Sequence, residues 1–256
     1  MPEVTSYKQG EFCWAELATT DQPAAKKFYS SLFGWTANDQ PMGPDMVYTM
    51  LELKGKAAGA LYSQDKAQRE NGIPPHWNIY VAVDNADETA KKIKAFGGKF
   101  MAEPFDVMDI GRMAIATDPD GAMISIWEGK LHIGASIKDE LNTFCWYEVS
   151  VNNPEKEQKF YEGVFGWKTS VTPEYTELVM EGKPHMAGMT KIQPDWGHVL
   201  PHWTACVMVN DANATMEKAI SLGARAVVPP MDMPGAGRYA VFADPQGAQL
   251  AVFSMK

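Results

Sequence analysis

Apolar and polar positions along the chain change period in a set order. Across residues 12–17 (FCWAEL) apolar side chains occupy both alternating sets, the pattern of a strand covered on two faces. A polar break follows, in which Asp21 or Thr20 can cap a helix and Pro23 suits its first turn, where a missing N–H costs nothing. Ala25, Phe28, Tyr29, Leu32 and Phe33 then share one helical face, and Gly34 ends the segment. Residues 36–39 read as a short strand and Pro41-Met42-Gly43-Pro44 as a turn. Residues 47–53 and 57–63 form a hairpin about Lys54-Gly55-Lys56. The pattern predicts a β-α-β-β-β unit.

After a polar connector at 64–72 the order starts again. Residues 78–83 (NIYVAV) predict a strand, Asp84 or Asn85 caps a helix running to Phe96, and Gly97-Gly98 stops it. Three strands follow at 100–104, 112–117 and 122–128, the last two joined by the turn Asp118-Pro119-Asp120-Gly121. The second half then copies the first. FCWAELATTDQPAAKKFYSSLFGW at 12–35 returns as FCWYEVSVNNPEKEQKFYEGVFGW at 144–167, a shift of 132 (144 − 12). Pro-His-Trp77, Gly-Arg112 and Asp118-Pro-x-Gly return at Trp203, Arg238 and Asp244, all at a shift of 126 (203 − 77). The six-residue difference (132 − 126) places a shortening in the hairpin region of the third unit. The expected fold is α+β: four βαβββ units paired into two domains, at 12–128 and 144–256, with an N-terminal arm at 1–11 and a linker at 129–143. Pairing two units makes a larger curved sheet with helices outside and a concave face that lines a pocket.

Composition narrows the partners. Net charge is −9, from 23 basic and 32 acidic residues without a lysine–arginine cluster, which argues against a nucleic-acid partner. Three cysteines, two of them the repeat equivalents Cys13 and Cys145, read as free thiols in a reducing compartment. No run approaches the roughly 18 apolar residues of a membrane span, and the first ten residues carry no signal-peptide core. The expectation is a cytoplasmic protein with a small-molecule ligand or substrate, no membrane partner, and a homodimer left open.

The paired units, the helix closing on Phe-Tyr-x-x-x-Phe-Gly-Trp and the strand entered through Asp-Pro-x-Gly together resemble the vicinal oxygen chelate superfamily. This is the group of glyoxalase I, bleomycin-resistance proteins and extradiol dioxygenases. More narrowly, Trp14-x-Glu16-Leu17, the Pro-His-Trp entries, the Gly-Arg-x-Ala loops and Asp244-Pro-Gln-Gly-Ala are similar to two-domain glyoxylases of the mycobacterial secreted-antigen type. The resemblance runs from about Phe12 to Phe253. It implies a pocket at the floor of each cup, where metal-dependent members hold a cation with imidazole and carboxylate ligands.

At those slots this chain has Trp14, Asn78, Ser125 and Ala60 or Leu61 in one half, and Trp146, Thr204, Ala251 and Met189 or Thr190 in the other. None is a competent set for zinc, nickel or iron, so no metal and no cofactor are expected there. Glu16 and Glu148 lie two residues beyond the first slot, on the same strand face; each reads as a proton-moving acid or as a structurally hydrogen-bonded carboxylate. His76 and His202, two residues before the second slot, read as ligand contacts or as structural donors. Arg112 and Arg238 read as a clamp for a carboxylate or phosphate, or as ion pairs with Asp106 and Asp232. Trp14, Asn78, Trp146 and Thr204 are candidate pocket walls. The resemblance implies a glyoxalase-like lyase for a small reactive carbonyl compound; the alternative is a metal-free, bleomycin-resistance-like cup that sequesters an apolar metabolite. A third reading is an interaction scaffold whose cups are filled by its own side chains.

Overall fold

The computed structural model describes residues 3–44, 46–172 and 175–256, without the side chains of 183–185. The first half contains β1 (Phe12–Thr19), α1 (Gln22–Phe33), β2 (Thr36–Gly43), β3 (Met46–Leu53), β4 (Lys56–Ser63), α2 (Lys66–Glu70), β5 (His76–Ala82), α3 (Ala86–Ala95), β6 (Lys99–Val107), β7 (Gly111–Thr117) and β8 (Met123–Gly129). The second contains β9 (Phe144–Val151), α4 (Pro154–Phe165), β10 (Lys168–Val171), β11 (Thr176–Met180), β12 (Lys183–Lys191), β13 (His202–Met208), α5 (Ala212–Ser221), β14 (Arg225–Met233), β15 (Gly237–Ala243) and β16 (Gln249–Met255). Local chemistry sets these bounds. Asp21 caps α1 by accepting the Ala24 N–H, and Gly34 closes it at φ 76°, a left-handed turn that a side chain resists. Asn153 and Gly166 do the same for α4. Three elements exceed the expectation: β2 continues through Pro41 to Gly43, β6 runs on to Val107, and the polar connector folds into α2, held by a capping box between Asp65 and Gln68.

Each half is one eight-stranded mixed sheet, ordered β2-β3-β4-β1-β5-β8-β7-β6 and β10-β11-β12-β9-β13-β16-β15-β14. The first strand of each unit pairs in parallel with the last strand of the same unit: β1 with β4, and β5 with β8. The two units of a half join where β1 meets β5 in antiparallel register, as β9 meets β13. The molecule therefore consists of two repeated α+β domains.

One continuous core joins them. The helix-side residues of both sheets, from Phe12, Leu17 and Trp77 to Tyr147, Val149 and Trp203, belong to a single buried cluster. Phe12 stacks on Tyr147 at 4.2 Å between ring centres. The helices were expected outside; they lie on the face away from the cups, yet α1 meets α5 and α3 meets α4 across the seam between domains. The repeated motifs bind that seam. The Tyr29 hydroxyl donates to Asp244 (2.9 Å) and receives the Trp77 indole N–H (3.1 Å); Tyr161 donates to Asp118 (2.8 Å) and receives that of Trp203 (2.9 Å). Trp35 donates to the Asn142 carbonyl and Trp167 to that of Gly10. Each Asp-Pro-x-Gly aspartate uses its other oxygen to take three backbone N–H groups of its own turn.

The seam departs from symmetry at one buried acid. Glu157 is fully buried on α4 where the first repeat has Ala25. Burial first, then the neighbouring charge of Asp118, pushes its carboxyl up to about 9, so it is protonated at neutral pH.

Candidate functional site

The face of each sheet opposite the helices gathers a second, smaller cluster, and these two cups hold the candidate chemistry. In the first cup Trp14 and Cys13 of β1, Ala60 of β4, Tyr80 of β5 and Trp127 of β8 pack together, with Tyr48, Met50 and Met113 against them. Glu16 sits among them, 8% exposed. Its Oε2 accepts from the Tyr48 hydroxyl at 2.6 Å and its Oε1 from the Tyr80 hydroxyl at 2.5 Å. The Trp14 indole donates to Tyr48 at 2.9 Å, so three aromatic side chains form a chain of donors ending on one carboxylate. Burial raises the Glu16 carboxyl above the usual carboxylate range, opposed by its hydrogen bonds from Tyr48, Tyr80 and Asn78. Asn78 Oδ1 and Ser125 Oγ are buried at the floor without a protein partner.

A segment between the domains closes one end of this cup. Ala135 donates its N–H to the Cys13 carbonyl, Ser136 donates to Ala57, and Tyr7 of the N-terminal arm donates to Ala135. His132 lies edge-on to Trp14 at 4.7 Å, and its carbonyl accepts from Trp127.

The second cup keeps the plan with smaller side chains. Glu148 Oε2 accepts from Tyr175 and its Oε1 from Thr190, both at 2.6 Å, and the Trp146 indole hydrogen-bonds to Tyr175. Strand register makes Gly188 and Thr190 the counterparts of Ala60 and Tyr62. Cys206, Phe253 and Ala251 stand where the first cup has Tyr80, Trp127 and Ser125. Trp146 and Glu148 are only half-buried, and Trp146 has no stacking partner among the described residues. Gly188 is needed here, because a Cβ would run into the Tyr175 ring and hydroxyl that lie across it. In both sheets a β-bulge at Cys13 or Cys145 lets two residues of the first strand oppose one of its neighbour.

The remaining residues singled out in the sequence divide cleanly. Asn78 and Thr204 line the floors, beside the carboxylates in the strand register. His76 and His202 share the cup faces at the rim, where the Nδ1 of each donates to the carbonyl two residues back, Pro74 or Leu200, at 2.8 Å. Burial lowers the His76 imidazole and keeps it neutral. Arg112 and Arg238 do not reach a cup. Each sits on the helix side: Arg112 grips Asp87 of α3, Asp106 and the Pro104 carbonyl, and Arg238 grips Asn213 of α5, Asp232 and the Pro230 carbonyl. The reason is parity: Ala114 and Ala116, two and four residues beyond Arg112, belong to the helix-side core, whereas Met113 belongs to the cup.

Tyr48, Tyr80 and Tyr175 were not singled out in the sequence, and Thr190 was named only as a lost metal-ligand slot. Tyr80 carried a signal, lying two residues from Asn78 on the same strand face; Tyr48 and Thr190 lie on hairpin strands whose register only pairing reveals, and Tyr175 just precedes β11. The metal-ligand positions do not suit a metal. Among the described residues no three His, Cys, Asp or Glu side chains come together closely enough to share an ion. Each floor presents one carboxylate, already gripped by hydroxyls.

A profile of the family described as Glyoxalase/Bleomycin resistance protein/Dioxygenase superfamily matches residues 12–126 and 143–252. Among curated proteins, "Putative glyoxylase CFP32" of Mycobacterium bovis is 39% identical over 98% of this chain and 97% of its own length. "Anthracycline biosynthesis protein DnrV" of Streptomyces peucetius is 31% identical over 99% of this chain and 96% of its own. Among solved structures, the Mn(II)-bound glyoxalase from Novosphingobium aromaticivorans superposes with a TM-score of 0.66 at 16% identity, covering 96% of this chain and 82% of that one. The 2,3-dioxygenase LapB from Pseudomonas sp. KL28 superposes at 0.63 with 12% identity, over 97% and 93%. These structural likenesses speak to the fold.

Proposed function

The chain belongs to the Glyoxalase/Bleomycin resistance protein/Dioxygenase superfamily, and from that premise we propose that it is a glyoxalase-like protein acting on a small reactive carbonyl metabolite, with the second cup as the working site. One observation carries the reading: a half-buried carboxylate, Glu148, accepts two short hydrogen bonds from Tyr175 and Thr190 on an accessible cup face. Removing a proton next to a carbonyl requires a base within hydrogen-bond reach and donors for the charge that develops on oxygen. Glu148 is the base. Once it takes the proton its hold on the two hydroxyls weakens, and the Tyr175 O–H is free to turn toward the developing oxyanion. Trp146 and Thr204 are the walls that orient the substrate. Glu16 is the buried copy of the same group, and no step is assigned to Arg112 or Arg238.

The test is turnover of methylglyoxal by the purified full chain, with and without a low-molecular-weight thiol, alongside its metal content. Turnover that survives chelation and collapses in Glu148→Gln supports the reading. A second reading, a metal-free cup that sequesters an apolar metabolite, is favoured by the donor-poor positions Trp146, Thr204 and Ala251. Absence of turnover together with a ligand-induced rise in melting temperature would replace the first reading with the second.

A further inference from the structure

The second cup contains something the first lacks. Cys145 is the bulge residue of β9, and Cys206 of β13 pairs with the next residue, Trp146. The Cys145 thiol donates to the Cys206 carbonyl at 3.6 Å, and the Cys206 thiol points along its own strand to the Val207 carbonyl at 4.0 Å. Both belong to the cup-face cluster, with Trp146, Tyr239 and Phe253. The register sets Cys206 opposite Trp146, so Cys145 is its diagonal neighbour across the bulge on the adjacent strand. The first cup supplies an internal control. Its bulge cysteine, Cys13, sits 3.6 Å from the Tyr80 carbonyl, the same local geometry with a tyrosine in place of the second thiol.

We propose that Cys145 and Cys206 form a redox modification site in which a peroxide oxidises Cys145 and Cys206 resolves the product into an intrachain disulfide. The two thiols differ in the way such a pair requires. Cys145 is half-buried, whereas Cys206 is 1% exposed. Burial, and then the neighbouring Cys145 thiol, hold the Cys206 thiol well above its usual range, and the more exposed Cys145 is the one a peroxide reaches first. The Cys145 thiolate attacks one peroxide oxygen, the O–O bond breaks, and the departing oxygen leaves as water after taking a proton. The Cys206 sulfur then attacks the sulfenic sulfur, the S–O bond breaks, and a second water leaves. Two thiols and one peroxide become one disulfide and two waters. Such a bond ties β9 to β13 beside Trp146, at the wall of the open cup. It stands independently of which substrate that cup takes.

The experiment exposes the native full chain to equimolar hydrogen peroxide, alkylates the remaining thiols, and maps peptides without reduction. The expected result is a Cys145–Cys206 cross-linked peptide, reversed by dithiothreitol, with Cys13 recovered as an alkylated free thiol. Cys206→Ala should instead trap a sulfenic acid at Cys145 that reacts with dimedone. Recovery of Cys206 as a free thiol while Cys145 is over-oxidised, or disulfides only between chains, overturns the proposal. Should Cys206→Ala lose its near-ultraviolet circular dichroism, the wild-type peptide map alone decides.

Discussion

In the first cup Tyr80, Tyr62, Trp127 and Ser125 stand where the second has Cys206, Thr190, Phe253 and Ala251. The backbone plan, the bulge, the tryptophan and the glutamate are common to both; the difference is side-chain volume and what lies over the rim. The first cup is also closed from outside, by His132 against Trp14 and by the 135–136 backbone bonded to Cys13 and Ala57. A duplicated framework has thus been filled on one side and left accessible on the other. A carboxylate buried among tyrosines serves packing, whereas the same carboxylate at an accessible face can meet a ligand. Tryptophan at the first-strand metal-ligand position in both halves leaves the glutamates as the common polar feature of the two floors.

The largest expected effect separates the glutamates by function. Glu148→Gln should lower turnover by about 10²–10⁴-fold, the usual range for losing a general base. Glu16→Gln should leave turnover within severalfold of wild type. Steady-state kinetics on the two variants check this, and equal losses would break the comparison.

The second contrast is thermodynamic. Tyr80→Phe strips a donor from a buried carboxylate and should cost roughly 1–3 kcal/mol in urea unfolding, while Thr190→Ala, at a face water reaches, should cost under about 1 kcal/mol. The third concerns the seam that holds the two cups back to back. The Glu157 carboxyl is raised in the folded state, so the folded protein binds a proton that the unfolded chain releases near its ordinary value. Its contribution is fully present below the unfolded value of about 4.3 and is lost progressively as pH rises toward about 9. Asp118 and Asp120 face it as like charges and Lys156 opposes them. Glu157→Gln should therefore raise the melting temperature at pH 8, by roughly 1–2 kcal/mol of stability, and leave it nearly unchanged at pH 4. Melting curves at the two pH values check the sign.

The smallest effect sharpens the open cup. Gly188→Ala displaces Tyr175 from Glu148 and should weaken ligand binding or turnover by about tenfold, the cost of roughly 1.4 kcal/mol, with the fold retained. Replacing the counterpart Ala60 by Gly in the filled cup should leave both unchanged.

Sequence patterning carried the fold far because the determinants are local and appear twice. Helix caps at Asp21 and Asn153, left-handed closures at Gly34 and Gly166, and the Asp-Pro-x-Gly turns all act within a few residues. The glutamates were legible too, since strand parity sets them on the face of the lost metal-ligand positions. The arginines were legible in part: their ion pairs with Asp106 and Asp232 were among the readings the sequence offered, whereas Asp87 and Asn213, on helices some 25 residues earlier, emerge only from packing.

By itself, then, the sequence determined the four repeated units, their pairing into two domains, and the residue types at the positions where relatives hold a metal, because hydrophobic period, turn chemistry and residue type at fixed spacing are encoded along the chain. Tertiary structure alone decided three things. The diagnostic Phe-Tyr-x-x-x-Phe-Gly-Trp and Asp-Pro-x-Gly motifs serve the seam between domains, through Tyr29 on Asp244 and Tyr161 on Asp118. The hydroxyls that grip each glutamate come from β3, β5, β12 and the residue just before β11. Cys145 and Cys206, 61 residues apart, meet across a bulge. Each depends on which strands lie side by side and in what register, and that is settled by the packing of the whole sheet.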